Sequence, residues 1–368
     1  MRAAEDVPDG PAGEEEKFLS GLNRLFKEVQ QSVGPRNPML PYWVKSVKGL
    51  TDILGIRVGH VSDYDAITGC TAILCEQGAV GGVDIRGSAS GTQEIDTLSP
   101  GHVSDRVHGI LLAGGSAFGL EAAAGVRRYL AHRGVGFAFA GEHVPIVPAA
   151  ILFDLGIGKP NVHPNVAMGE AAAAAASVDA VKEGCVGAGT GATVGKILGM
   201  KQCMKGGVGS FTVTLPGGVM VASLVAVNAM GDVRDPATGK IVAGARKAAD
   251  SREFVNTTEY MKSSEYMKRG GPVGGGAPKN TTLGVVVTNA KLNKVQANKL
   301  AQFASLWMAR TIYPVNTMAD GDIVFALSLG DRQADINVLG VAAAEALAES
   351  ILRAVRFAKT LGGVPGLG

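Results

Sequence analysis

A glycine run that leads directly into a core strand constrains this chain more than any other feature. Gly270-Gly271-Pro272-Val273-Gly274-Gly275-Gly276-Ala277-Pro278 is linker-like by composition. Just beyond it, Leu283 to Thr288 form an apolar run of the kind buried on both faces of a sheet. A helix follows, with Asn293 as its N-cap and Leu300, Ala304, Trp307 and Met308 on one face. Then come a strand over Ile323 to Leu329 and a last helix from about Ile336 to Phe357. The tail reads β-α-β-α. Two strands do not make a stable sheet by themselves, so these must pair with strands placed earlier in the chain. A loop that runs straight into a core strand beginning Thr281-Thr282 has the layout of a processing site. The loop presents a peptide bond for attack, and the strand holds the new terminus.

The earlier residues alternate in the same way. Thr71 to Leu74 and His108 to Ala113 read as buried strands. Gly114-Gly115-Ser116-Ala117-Phe118-Gly119 leads into an Ala-rich helix over Leu120 to His132, and a second Ala-rich helix is expected over Met168 to Lys182. Phe211 to Leu215 and Val219 to Val227 read as a hairpin across Pro216-Gly217-Gly218. Residues 47–368 are therefore expected to form one α/β domain. Residues 1–46 differ in character. After a Pro/Gly/Glu-rich start, Phe18, Leu19, Leu22, Leu25, Phe26 and Val29 recur at helical spacing, and Pro35, Pro38 and Pro41 end the pattern. One amphipathic helix and a stiff connector are expected there.

Composition removes several classes of function. The 52 glycines follow no strict period and lie among apolar runs, against a collagen-like or disordered chain. A net charge of +2 without a dense basic block gives no reason to expect nucleic acid. No apolar run reaches the roughly 18 residues that span a bilayer. The acidic start (Glu5, Asp6, Glu14, Glu15, Glu16) is the opposite of a signal-peptide n-region. A cytoplasmic protein without membrane attachment is expected. Cys70, Cys75, Cys185 and Cys203 form no CxxC pair and read as small buried hydrophobes. The six histidines form no HxH or HxxxH cluster, so neither a metal nor a cofactor is expected.

Four signatures, weak singly, carry a resemblance when taken in order. They are Thr68-Gly69-Cys70-Thr71, Gly82-Val83-Asp84-Ile85-Arg86-Gly87, Gly114-Gly115-Ser116-Ala117-Phe118-Gly119-Leu120 and Val227-Asn228-Ala229-Met230-Gly231-Asp232. From about Leu50 to Phe357 the chain resembles the DmpA-like N-terminal-nucleophile peptidases. That family, peptidase family S58, includes β-peptidyl aminopeptidases, D-aminopeptidase/esterases and nylon-oligomer hydrolases. Asn280-Thr281-Thr282-Leu283 and Asp320-Gly321-Asp322 are most similar to the 6-aminohexanoate-oligomer hydrolases, where the aminopeptidases typically have Ser after Gly and Ser-x-Glu.

The resemblance implies a four-layer α/β/β/α sandwich, cleaved between Asn280 and Thr281 into residues 1–280 and 281–368, the two fragments sharing one core. It implies Thr281 as nucleophile and Asp320 and Asp322 as its supporting acids. It places Lys196 and Asn228 among the polar groups of the site. It also implies a homo-oligomer of such heterodimers and a small oligoamide or peptide substrate. In one respect the chain departs from the family. In Pro148-Ala149-Ala150-Ile151-Leu152-Phe153-Asp154, Phe153 stands where these enzymes carry a pocket Tyr, so one hydroxyl is missing.

Each residue type suits that chemistry, and each has a plainer reading. A threonine hydroxyl needs a base beside it. The α-amine freed by cleavage, with a reference pKa of about 7.7–8.0, would supply one. Without the resemblance, Thr281 reads as a β-branched strand residue. Asp320 and Asp322 would share one face of a strand and orient that amine; Asp-Gly-Asp is also good turn chemistry. Lys196 could bind a developing oxyanion or be an exposed lysine, and Ile197 after it excludes a P-loop. Asn228 could donate to the oxyanion or serve as a turn residue. Ser116 lacks the spacing of a nucleophile elbow.

Three other functions compete with oligoamide hydrolysis. They are a β- or D-aminopeptidase, a non-catalytic binding protein of the same fold, and acetyl transfer on a related fold with a self-cleaved Thr. Thr281-Thr282-Leu283 and the later Asp-Gly-Asp suit the last poorly.

Overall fold

The computed structural model describes residues 48–271 and 280–368. The expected helix of residues 1–46 and most of the glycine run lie outside them. Nine strands build the frame: β1 Arg57–Asp63, β2 Thr68–Ile85, β3 Gly91–Gln93, β4 Val107–Ala113, β5 Ala149–Ile151, β6 Val208–Thr214, β7 Met220–Asn228, β8 Thr281–Ala290 and β9 Ile323–Arg332. Four helices cover it: α1 Ala122–His132, α2 Val166–Ala174, α3 Lys294–Thr311 and α4 Ile336–Arg356.

The long β2 belongs to two sheets. Its first half pairs with β1 and β4, its second half with β9, and the register with β4 shifts between Leu74 and Ala79. One sheet thus contains β1, β2, β4, β5 and β3, and the other runs β6-β7-β8-β9-β2. Side-chain alternation along the strands decides the layering. Ile73, Ile110 and Leu112 of the first sheet meet Leu224, Leu283, Val285 and Phe325 of the second. On the outer face of the second sheet, Val225, Val286 and Val324 pack on Leu300 of α3 and Leu347 and Ile351 of α4. On the outer face of the first, Ala72, Leu74 and Leu111 pack on Ala122 and Val126 of α1 and Ala172 of α2. The order is α/β/β/α, as the family resemblance implied. Small residues suit the α1–α2 layer because its backbones nearly touch. A Cβ added to Gly125 would lie 1.9 Å from the Val166 carbonyl oxygen.

The tail folds as expected, and its place in the sheet is central. β8 pairs antiparallel with β7 and parallel with β9, while β9 pairs antiparallel with β2. Both strands that follow Thr281 therefore lie between strands that precede it. The parallel step β8–α3–β9 needs a crossover helix, and Asn293 starts that helix with a reciprocal capping box to Gln296. The hairpin of β6 and β7 turns at Pro216–Gly218 as read.

The helix expected over Met168 to Lys182 stops at Ala174. Backbone bonds between Val58 and Ser177, at 3.0 and 3.1 Å, pull the chain onto β1 instead. The Thr51 hydroxyl then takes the Asp179 carbonyl at 2.7 Å. The charged stretch before the glycine run is folded as well. Asp232–Arg234, Ile241–Ala243 and Ile312–Tyr313 form a small sheet, and short helices span Thr257–Met261 and Ser264–Arg269. The buried Asp232 carboxylate anchors it by accepting from the backbone of Ala245 and from both donors of Thr257. Among the described residues no helix is long and apolar enough to cross a membrane.

Candidate active site

Thr281 is the first residue of β8, and its register partner is Asn228, the last residue of β7. On the other side, Asn280 makes a parallel bridge to Asp320 just before β9. The start of β8 is thus gripped by the end of β7 and by Asp320-Gly321-Asp322. Thr281 is 2% exposed. Its hydroxyl donates to the carbonyl oxygen of Asn280 at 2.5 Å, and the Gly321 N–H donates to the same oxygen at 2.9 Å.

Asp320 and Asp322 were expected on one face of a strand. The strand begins one residue later, and the pair forms the turn that enters it. Asp320 accepts from the Thr317 backbone at 3.0 Å and from its hydroxyl at 2.5 Å. Asp322 accepts from the Thr282 N–H at 2.6 Å and from the Asn316 N–H at 2.9 Å, so it fixes the chain one residue past Thr281. The turn itself hangs on the signature Gly82 to Gly87. Arg86 and Gly87 donate to the Asp322 carbonyl, each at 3.1 Å, and Ala89 donates to that of Asp320 at 2.9 Å. Burial pushes both carboxyls above the usual carboxylate range, and the charge of Asp320 pushes Asp322 further.

Lys196 is buried, not a solvated surface lysine. It follows the short strand Thr193–Val194, and its N–H bonds the Met230 carbonyl at 3.0 Å. Its Nζ donates to the side-chain oxygen of Asn228 at 2.8 Å and to the backbone carbonyl of Asn228 at 3.0 Å. Burial lowers its pKa to about 7, a shift that Asp320 and Asp322 oppose through their charges. The same Asn228 oxygen accepts from the Thr193 N–H at 3.0 Å, and its Nδ2 donates to the Phe153 carbonyl at 2.9 Å. Phe153 therefore enters the network through its backbone, which any residue would supply. The structure brings Asn280, Thr281, Asn228 and Lys196 together with the Asp-Gly-Asp turn, and joins Phe153 through Asn228.

Two buried groups in this region were not singled out from sequence. Asp154 accepts from the Gly115 N–H and the Thr68 hydroxyl, both at 2.7 Å, and so ties two of the four signatures together. Lys205, 1% exposed, donates to the carbonyls of Thr190 and Ala192 at 2.8 and 2.6 Å. Burial lowers its pKa to about 8. The one available signal for Lys205 was its place directly before Gly206-Gly207 and the strand that begins at Val208. The cysteines are free, and burial pushes the thiols of Cys70 and Cys75 up to about 12. Among the described residues no group of three or more His, Cys, Asp or Glu side chains is placed to hold a metal ion.

Comparison with known proteins adds independent observations. The family model of peptidase family S58 matches residues 48–367. A protein of Mycobacterium tuberculosis named as an uncharacterized aminopeptidase is 39% identical over 345 residues, spanning 87% of this chain and 96% of that one. The 6-aminohexanoate-oligomer endohydrolase of a Kocuria species is 31% identical over 321 residues, spanning 83% and 85%. The solved L-aminopeptidase D-Ala-esterase/amidase of Ochrobactrum anthropi, described as a variant of the Ntn hydrolase fold, superposes with a TM-score of 0.63 at 18% identity. It spans 88% of this chain and 91% of its own.

Proposed function

The chain belongs to peptidase family S58, and from that premise we propose that it is a self-cleaving amide hydrolase with an N-terminal threonine nucleophile. The observation that carries this reading is the hydrogen bond from the Thr281 hydroxyl to the carbonyl of the residue it follows. Maturation starts when that oxygen attacks the Asn280 carbonyl carbon. The peptide C–N bond breaks, the hydroxyl proton ends on the Thr281 nitrogen, and Asn280 is left as an ester. Water opens the ester to the Asn280 carboxylate and restores the hydroxyl. The freed α-amine of Thr281 is partly neutral near pH 7.

Turnover repeats the attack on a substrate amide. The α-amine takes the hydroxyl proton and passes it to the leaving amine. The acyl group stays on Thr281 until water releases it. Asp320 and Asp322 orient the α-amine, and Asn228 with Lys196 supplies polar stabilisation to the developing oxyanion. The fragments 1–280 and 281–368 stay together, because the second contributes β8 and β9 from the middle of a sheet. The assembly is taken to be a homo-oligomer of such heterodimers, acting in the cytoplasm.

The substrate class is short oligoamides or peptides of the 6-aminohexanoate type. The Asn280-Thr281 and Asp-Gly-Asp signatures support it, as does the similarity to the Kocuria endohydrolase. A second reading, an aminopeptidase on β- or D-amino-acid amides, is favoured by the higher identity to the mycobacterial protein. N-acetylated and free-amine oligomers separate the two, since an aminopeptidase requires the free amine. The nucleophile is tested by substitution: Thr281→Ala should remain one 37.6 kDa chain without hydrolytic activity, and Thr281→Ser should retain part of both activities.

A further inference from the structure

We infer that the backbone N–H of Gly321 is an oxyanion donor of the self-cleavage step, and that position 321 must be glycine to leave room for the attacking hydroxyl. The inference rests on the self-cleavage reading and deepens it. As the Thr281 oxygen bonds to the Asn280 carbon, the C=O π pair moves onto the carbonyl oxygen. When the C–N bond breaks, that pair re-forms the carbonyl. The departing pair stays on the Thr281 nitrogen, which takes the hydroxyl proton. In between, the negative oxygen needs a donor about 2.7–3.1 Å away that is already in position. The Gly321 N–H is 2.9 Å from that oxygen before any reaction.

The surroundings hold the donor still. Gly321 lies between two residues whose carbonyls are fixed by Ala89, Arg86 and Gly87, and whose carboxylates are fixed by Thr317, Thr282 and Asn316. Asn280, Thr281 and Gly321 are buried, so the hydrogen bond acts in a low dielectric. The Asn280 side chain turns elsewhere, donating to the Ala319 carbonyl at 3.2 Å. A Cβ at position 321 would lie 2.7 Å from both Thr281 Oγ1 and the Ala89 carbonyl oxygen. The site thus requires a residue that contributes an N–H and no side chain.

The test is cell-free synthesis of the full chain with glycolic acid in place of Gly321. This exchanges the N–H for an ester oxygen and leaves the shape unchanged. An ester there also weakens the Asp320 carbonyl as an acceptor for Ala89, so the control places lactic acid at position 89, deleting that hydrogen bond alone. Cleavage is followed by intact mass. The expected result is about 10²–10³-fold slower cleavage in the Gly321 ester, the range seen for loss of one oxyanion donor. The Ala89 ester, which loses a bond that positions the turn but no donor to the oxyanion, should slow cleavage by no more than about tenfold. Cleavage of the Gly321 ester at the parent rate, or equal slowing by the two esters, overturns the inference. A parent chain that never cleaves defeats the self-cleavage reading itself, which is a different and separately visible failure.

Discussion

Asn228 and Thr281 are register partners where β7 ends and β8 begins, and the Asn228 side chain joins Lys196 Nζ to the Phe153 carbonyl. Asn228→Ala removes an acceptor from a buried cation and a donor from a buried carbonyl, at a cost of about 1–3 kcal/mol. Loss of a donor to the oxyanion should also lower kcat by about 10²–10³-fold. Urea unfolding and steady-state kinetics on a short oligoamide read the two effects apart. Parental kcat in a stably folded Asn228→Ala protein would remove Asn228 from the chemistry.

Lys196 makes stability depend on pH in a stated direction. Burial holds its folded pKa near about 7, against 10.5 for the free side chain. Between those values the unfolded chain binds a proton that the folded chain lacks, so stability rises with pH across that window. Asp320 and Asp322, raised from 3.8, act oppositely: the folded state holds extra protons above that value, and stability falls as pH rises through the window. Lys196→Met should flatten the rising arm between pH 7 and 10.5, leaving only the part above pH 8 that Lys205, lowered to about 8, supplies. Denaturant midpoints across pH 6–10 check this, and an unchanged slope would contradict the burial argument.

Gly87 packs against the backbone of the acidic turn. An added Cβ would lie 2.2 Å from the Asp322 nitrogen and 2.4 Å from the Asp320 carbonyl oxygen. Gly87→Ala should therefore destabilise by about 1–3 kcal/mol and slow maturation together. Gly101→Ala, where a Cβ meets nothing within 4 Å, should do neither. Denaturant melts and cleavage time courses on the two variants make the comparison.

Much of the frame was legible because strong apolar runs bounded by Gly and Pro carry local signals. The β-α-β-α tail, the β6–β7 hairpin and the Asn293 cap followed from them. The end of α2 did not. Its alanine run favours helix by propensity, while the bridge from Ser177 to Val58 that stops it spans 119 positions of sequence. The double membership of β2 was hidden for the same reason, since its second half is defined by β9. In the site, Thr281, Asp320 and Asp322 were readable only as positions in a motif. Asp154 and Lys205 are distinguished by burial, which pairwise spacing does not reveal. Gly321 acts through a backbone N–H, and no residue type announces that.

The intact mass of the purified protein under denaturing conditions, with N-terminal sequencing of the smaller species, tests the central claim most directly. The account predicts two species, the smaller beginning Thr281-Thr282-Leu283. A single 37.6 kDa chain after prolonged incubation would contradict it.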